Sequence, residues 1–390
     1  MFRINFILIL LLLSTACSQA FQAQNPVVGA AQTDLYLPLI KDKRVGVVVN
    51  NTSMIGDEHL VDVLLGKNVK VDKIFAPEHG FRGDVANGGE IVDGVDAATG
   101  LHVYSLYGEN RKPTAKQLKD LDVMIFDIQD VGCRFYTYIS TLHLVLEACA
   151  ENNVPLVVLD RPNPNGDYVA GPIRKEGFQS FVGMDPIPIV HGCTVGELAQ
   201  MINGENWYDS PDKCDLTVIP VKNYDHNTLY LLPERPSPNL PNDLAVRLYP
   251  SLCFFEATSV SIGRGTDFPF QVIGGPNKEL GTFEFIPRSI RGVSDNPLHK
   301  NQICYGIDLR ELKEVPTFTL KYFLDFYYKF QNEKDFLTRE RWLNLLAGTD
   351  DLIEQIRAGK TEAEILKSWK PELEAYKALR KKYLLYPDFE

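Results

Sequence analysis

Several apolar runs of this 390-residue chain are followed at once by carboxylates, arginines and amides, residue types that can do chemistry. The run Val71–Ala76 leads into Pro77-Glu78-His79-Gly80-Phe81-Arg82. The run Val123–Ile128 contains Asp127 and leads into Gln129 and Asp130, with Arg134, Tyr136 and Tyr138 just beyond. Leu156–Leu159 runs into Asp160-Arg161-Pro162-Asn163-Pro164-Asn165, and Val45–Val49 into Asn50-Asn51-Thr52-Ser53. In the second half, Glu256 and the turn Gly263-Arg264-Gly265-Thr266-Asp267-Phe268 hold comparable places. Carboxylates so placed can transfer protons. Arginines can grip an anion through paired, charge-assisted hydrogen bonds, and tyrosines can stack on or hydrogen-bond to a ligand.

Each group also has a plain structural alternative. Glu78 is either a catalytic carboxylate or a turn residue paired with Arg82, and His79 either a ligand or an ordinary loop donor. Asp127 and Asp130 either work as acid and base or form a salt bridge with Arg134. Asp160 and Arg161 either face a ligand or fix the proline-rich loop through backbone bonds. His143, on an apolar helix, reads as a core or capping residue. No metal and no cofactor is expected. The chain has no G-x-G-x-x-G, no G-x-S-x-G and no H-E-x-x-H, and Asn163-Pro164-Asn165-Gly166-Asp167 lacks the distal glutamate of a calcium loop.

The elements that must position these residues follow from hydrophobic periodicity. Strand-type runs at Val45–Val49, Val71–Ala76, His102–Leu106, Val123–Ile128 and Leu156–Leu159 alternate with helical spacing at Glu58–Leu65, Ala115–Leu121 and Thr141–Ala150. Runs apolar on both faces and separated by helices imply a mostly parallel sheet covered on both sides, and ligands bind such sheets at the carboxyl ends of the strands. The spacing predicts a helix over Thr194–Ile202 and a strand over Leu216–Val221, then an extended, proline-rich Leu231–Asn242. Short strands follow near Gln271–Ile273 and Ile303–Leu309. Helices are predicted at Thr319–Phe330, Arg339–Ala347, Leu352–Ala358 and Glu362–Arg380. Thr194 with Glu197, and Thr361 with Glu364, have capping-box spacing. The expected organisation is a Rossmann-like α/β domain over residues 35–235 and a smaller α+β subdomain over 236–390 that closes a cleft.

Residues 1–16, with Arg3 before the apolar Phe6–Leu13, read as an export signal too short to span a bilayer. Cleavage before Cys17 would leave a lipidated cysteine and attach the protein to a membrane; cleavage after Ala20 would leave it free. Either way the protein is expected to be exported, with residues 1–20 as the signal region, and the expected location is the periplasm. The other six cysteines form no C-x-x-C pair and read mainly as buried thiols, with room for one or two disulfides. There are 40 basic and 51 acidic residues, a formal charge of −11, or −12 once residues 1–16 are removed. So acidic a chain is a poor match for nucleic acid, which is bound through basic patches. An anionic ligand would have to be held locally, by a few arginines.

The strings VVNNTS, IFAPEHGFRG, DVMIFDIQDVGCRFYTYISTL, LVVLDRPNPNG, PERPSPNLP and FFEATSVSIGRGTDFPFQVIGGP, in this order, resemble the NamZ-type exo-β-N-acetylmuramidases from about Arg44 to the carboxyl terminus. The resemblance implies a Rossmann-like catalytic part and a smaller carboxyl-terminal part with the cleft between them. It also implies release of N-acetylmuramic acid from the non-reducing ends of peptidoglycan fragments, with Glu78 as the family's catalytic glutamate. Glycoside hydrolysis takes one carboxylic acid to protonate the leaving oxygen and a second group at the anomeric carbon. Partial burial would raise the pKa of Glu78 toward that of a general acid. Asp127 and Asp130 lead the candidates for the second role, with Asp160, Glu256 and the sugar's own acetamido group beside them. Arg82, Arg134 and Arg264 are the expected holders of the lactyl carboxylate. His79, Gln129, Tyr136, Tyr138, Asp160, Arg161, Asn163, Glu256 and Thr266 complete the expected binding set. A periplasmic sugar- or muropeptide-binding protein is the competing reading. A peptidoglycan amidase or esterase would need a metal cluster or nucleophile that the sequence does not present.

Overall fold

The computed structural model describes residues 25–78, 80–81, 93–315 and 317–390. The leader with Cys17 and the candidates His79 and Arg82 lie outside the described residues. The chain forms β1 (Arg44–Val49), a short hairpin of β2 (Met54–Ile55) and β3 (Glu58–His59), β4 (Lys70–Ala76), β5 (Gly94–Val95), β6 (His102–Ser105), β7 (Val123–Asp127), β8 (Leu156–Leu159) and β9 (Leu216–Ile219). Among the described residues the main sheet has seven strands in the order β5-β6-β4-β1-β7-β8-β9. Every pairing is parallel except the antiparallel edge β5–β6. The chain builds outward from β1 through β4 to β6, then returns to the other side of β1 for β7, β8 and β9. Strand order therefore reverses at β1, the switch point beside which α/β sheets bind their ligands.

Alternation along the strands feeds two cores, one on each face. Val45, Val47, Val49, Ile74, Ile125 and Val157 pack with Tyr36 and Ile40 of the helix Thr33–Ile40 and with Leu60, Val61 and Leu64 of the helix Leu60–Gly66. Val48, Phe75, Met124, Phe126, Leu156 and Val158 face the helices Tyr138–Asn152 and Val195–Glu205 on the other side. Gly46 belongs to this second face. A Cβ there would fall 2.4 Å from Met124 Sδ and 2.7 Å from Leu121 Cδ1, so only glycine lets the strand lie this close.

The helix expected from Glu58 begins two residues later. Glu58 and His59 pair with Met54 and Ile55, and His59 caps the helix by accepting the Val61 N–H at Nδ1. Thr194–Glu197 and Thr361–Glu364 both form complete capping boxes. The carboxyl-terminal region carries the small antiparallel sheet of β10 (Val272–Gly275), β11 (Phe283–Phe285) and β12 (Cys304–Asp308), in the order β10-β12-β11. Its helices pack on the larger of the two cores. Phe254, Phe255, Phe323, Phe326 and Phe336 continue the cluster that includes Leu142 and Leu198. The six described cysteines are buried thiols, none of them paired.

The carboxyl ends of β7 and β8 are locked by a buried ion pair. Arg161 Nε donates to Asp127 Oδ1 at 2.5 Å, and Arg161 Nη2 donates to Asp127 Oδ2 at 2.9 Å and to the Met54 carbonyl at 3.1 Å. The Asp127 carboxylate is fully enclosed. Removing one partner of such a pair leaves an uncompensated buried charge, at a cost of about 3–5 kcal/mol. Asp127→Asn should therefore lower the urea midpoint by that free energy divided by the m-value. An unchanged midpoint would show that the pair does not hold the strand ends.

Candidate active site

Glu78 stands two residues beyond β4, in a turn closed by the Gly80 N–H donating to the Pro77 carbonyl at 3.0 Å. Its side chain is nine-tenths buried, and the Thr137 hydroxyl donates to Oε2 at 2.8 Å. Thr137 is the N-cap residue of the helix Tyr138–Asn152 but makes no side-chain cap bond, so its hydroxyl is free to serve Glu78. The carboxylate thus meets the positive end of a helix. The Tyr107 phenol, two residues past β6, lies against it. Burial and the Glu78 charge together hold that phenol's pKa well above the usual tyrosine range.

Glu78 opens into a cleft of about 340 Å³, within the size range of small-molecule sites. One side is made by residues that follow the sheet strands, including Tyr107, Arg111 and Phe135–Tyr138. Facing them are Ser180–Val182, Ser237, Asn239 and Leu240 of the proline-rich segment, and Glu256, Arg264, Phe270 and Trp342 from the carboxyl-terminal region. Tyr136 and Tyr138 line the cleft with their rings, 4.8 Å apart and edge to face. Both hydroxyls donate to the Pro236 carbonyl, at 2.8 and 3.0 Å, and so pin the proline-rich segment over the strand ends. Glu256 Oε1 accepts from Arg264 Nη2 at 2.6 Å, and the Arg264 guanidinium lies 5.1 Å from the Phe270 ring centre.

The structure therefore brings together Glu78, Tyr136, Tyr138, Glu256 and Arg264 from the expected set. The other described candidates are not among the residues lining this cleft, and each is engaged elsewhere. Asp127 and Arg161 pair with each other, not with Arg134. Gln129 Nε2 donates to the carbonyls of Asp130 and Pro162. Arg134, wholly buried, gives its guanidinium to the carbonyls of Pro172, Ile187 and Leu346. Burial, with Arg174 nearby, pushes its pKa down to about 9. Asp160 accepts the N–H groups of Arg161 and Gly196 and the hydroxyls of Thr194 and Tyr386, and burial raises its pKa to about 6. Asn163 Nδ2 donates to the Cys193 carbonyl, while its Oδ1 accepts the Asn165 N–H. Thr266 donates its hydroxyl to the Gly263 carbonyl inside the turn. Among the described residues, no three His, Cys, Asp or Glu side chains are grouped so as to hold a metal ion.

Tyr107, Arg111, Thr137, Phe181 and Trp342 enter the cleft without having stood out in the sequence. The strand-end rule, applied to His102–Leu106, reaches Tyr107 at once, and Arg111 follows on the same loop. Thr137 lies inside the quoted string around Tyr136. No sequence signal marks Phe181 or Trp342, which arrive from loops and helices distant along the chain.

A Rossmann-like sheet with a carboxylate-lined cleft at its switch point is a frame for hydrolytic chemistry on a small ligand. Residues 45–244 match the family described as exo-β-N-acetylmuramidase NamZ, N-terminal, and residues 247–386 match its C-terminal counterpart. This chain belongs to that family, and with it to the glycoside hydrolases. It is 37% identical over 375 residues to the peptidoglycan β-N-acetylmuramidase NamZ of Bacillus subtilis (strain 168), covering 90% of this chain and 89% of that protein. Two crystal structures of DUF1343 family proteins from Bacteroides fragilis NCTC 9343 share the fold. One superposes with a TM-score of 0.87 at 46% identity, covering 94% of this chain and all of that one. The other gives 0.80 at 28% identity, covering 93% and 99%.

Asp130 has a titration of its own. Oδ2 accepts the Gly132 N–H at 2.6 Å, Oδ1 has no hydrogen-bond partner, and His191 Nε2 lies 3.9 Å from Oδ2. Burial raises the Asp130 pKa to about 7 and lowers that of His191 to about 3. The folded form keeps its proton up to about pH 7, whereas an unfolded aspartate loses it near pH ~3.9. The Asp130 contribution to stability is therefore whole below the unfolded pKa and is lost as pH rises through the folded one. Asp130→Asn, neutral at every pH, should show a smaller drop in Tm between pH 5 and pH 8.5 (about the span of the titration) than the unaltered protein. Equal drops in both would refute the assignment.

Proposed function

We propose that the chain is an exo-acting hydrolase that releases N-acetylmuramic acid from the non-reducing ends of peptidoglycan fragments, with Glu78 as its catalytic carboxylate. The observation that carries this reading is Glu78 itself, held by Thr137 at a strand end beside the switch point and opening into a cleft that also contains Glu256. The family description supports the sugar and the exo action, and the B. subtilis relative is named a peptidoglycan β-N-acetylmuramidase. Peptidoglycan lies outside the cytoplasmic membrane, so the reading also has the chain exported, in keeping with the leader-like residues 1–16.

In the proposed reaction Glu78 gives a proton to the glycosidic oxygen as the bond to the anomeric carbon breaks. A water molecule supplies the oxygen that ends on that carbon, and its proton returns to a carboxylate. Of Asp127, Asp130, Asp160 and Glu256, only Glu256 lines the cleft, so it is the protein group best placed for the second role. The acetamido group of the sugar is the other route.

Glu78→Gln should lower kcat on a chromogenic N-acetylmuramide by roughly 10²–10⁴-fold, the usual contribution of a general acid, with KM little changed. Equal turnover by both proteins would remove Glu78 from the chemistry. Glu256→Gln, followed by NMR of the first-formed anomer with the unaltered enzyme, separates the two routes. A carboxylate working directly predicts a large fall in kcat; acetamido participation without Glu256 predicts retention of configuration and a small fall.

A further inference from the structure

The proposed substrate differs from an N-acetylglucosaminide by its lactyl ether, which carries a carboxylate. Of the arginines expected to hold that group, Arg82 lies outside the described residues, and the two described ones are differently employed. Arg134 is buried among three backbone carbonyls, and Arg264 is neutralised by Glu256. Arg111 remains. It is exposed on the loop after β6, lines the same cleft as Glu78, and pairs with no carboxylate among the described residues. Its Nε donates to the Gly108 carbonyl at 3.1 Å, and its guanidinium carbon lies 4.4 Å from the centre of the Phe181 ring. Tyr107 stands in the field of both neighbours, its phenol held neutral by burial and by Glu78, with Arg111 opposing. Arg111 and Glu78 thus share one end of the cleft.

Resting on the muramidase reading, we propose that Arg111 binds the lactyl carboxylate of the terminal sugar and sets the preference for N-acetylmuramic acid over N-acetylglucosamine. An arginine already committed to a carboxylate must give up that partner to take a new one. Arg111 has no carboxylate partner among the described residues, and its one hydrogen bond there, from Nε to the Gly108 carbonyl, leaves both Nη groups for a ligand. A guanidinium matches a carboxylate with two parallel hydrogen bonds, which a lysine ammonium cannot reproduce. Contact with Phe181 restrains the side chain before the ligand arrives, and this reduces the ordering cost of binding.

The test compares three chromogenic substrates: the N-acetylmuramide, the same sugar with its lactyl carboxyl converted to a methylamide, and the N-acetylglucosaminide. Arg111→Gln should lose about 100-fold in kcat/KM on the acid, chiefly through KM, and change little on the two neutral sugars. Arg111→Lys should recover part of the loss. An equal loss on acid and amide, or no loss on either, would overturn the role of Arg111 while leaving the muramidase reading intact. An unaltered enzyme that releases nothing from the N-acetylmuramide would overturn both. Thermal melts of the variants, with the residue on an exposed loop, should match the parent, and a large drop in Tm would turn the effect into a folding defect and refute the proposal.

Discussion

The cleft depends on the buried pair Asp127–Arg161. Arg161 begins the loop after β8, Asp127 ends β7, and the Met54 carbonyl belongs to the hairpin that follows β1. One guanidinium therefore ties together the ends of three segments beside the switch point. Strand pairing alone fixes a sheet only as far as its last hydrogen bond; past that point the loops need other anchors. A bidentate arginine–carboxylate pair supplies direction as well as attraction. Enclosing both charges is costly unless hydrogen bonds compensate them, and here both Asp127 oxygens accept from Arg161, which also donates to the Met54 carbonyl.

A second layer of anchors repeats the device with neutral partners. Asp160 gathers two backbone N–H groups and two hydroxyls, one of them from Tyr386 near the carboxyl terminus. Arg134 joins the Pro172 and Ile187 carbonyls to that of Leu346 in the helix Glu340–Ala347. Tyr136 and Tyr138 hold the proline-rich segment through the single Pro236 carbonyl. The second half of the chain is thereby fastened to the strand ends of the first. Its fastening brings Glu256, Arg264 and Trp342 opposite Glu78. Each of these bonds matters because an unpaired buried group costs about 1–3 kcal/mol, and the Arg134 Nε is itself left without a partner.

Hydrophobic alternation made the sheet legible in the sequence. Val45–Val49 and Val123–Ile128 are apolar on both faces, and they became central strands between two helical layers. What alternation could not convey was rank among the polar residues at the strand ends. Asp127, Asp160, Arg134 and Glu78 look alike in one dimension, each a charged group just past an apolar run. The partners that separate them, namely Arg161, Tyr386, Leu346 and Thr137, lie 34, 226, 212 and 59 residues away along the chain. The family resemblance singled out Glu78; the residues alone left it among equals. Glu256 stood in the expected binding set, but nothing in the sequence ranked it above Asp127, Asp130 and Asp160 as the carboxylate that shares the cleft with Glu78, because its position rests on long-range packing around Phe254 and Phe255. Short edges such as β5 and β11 carry too few residues for any period to show.

The net charge of −11 also takes on a different meaning once the cleft is resolved into pairs. Exposed charges are screened beyond about 8 Å at physiological salt, so carboxylates scattered over the surface contribute little to the potential inside a cleft. Nearby groups decide it. Arg264 and Glu256 cancel each other there, Arg134 faces only carbonyl oxygens of the interior, and the Glu78 carboxylate meets a hydroxyl and a helix end. Among the described residues, an anionic ligand is then governed by whichever cation at the cleft lacks a carboxylate partner. An acidic protein can hold an anion on these terms, because a desolvated pair at contact distance outweighs many distant charges in water.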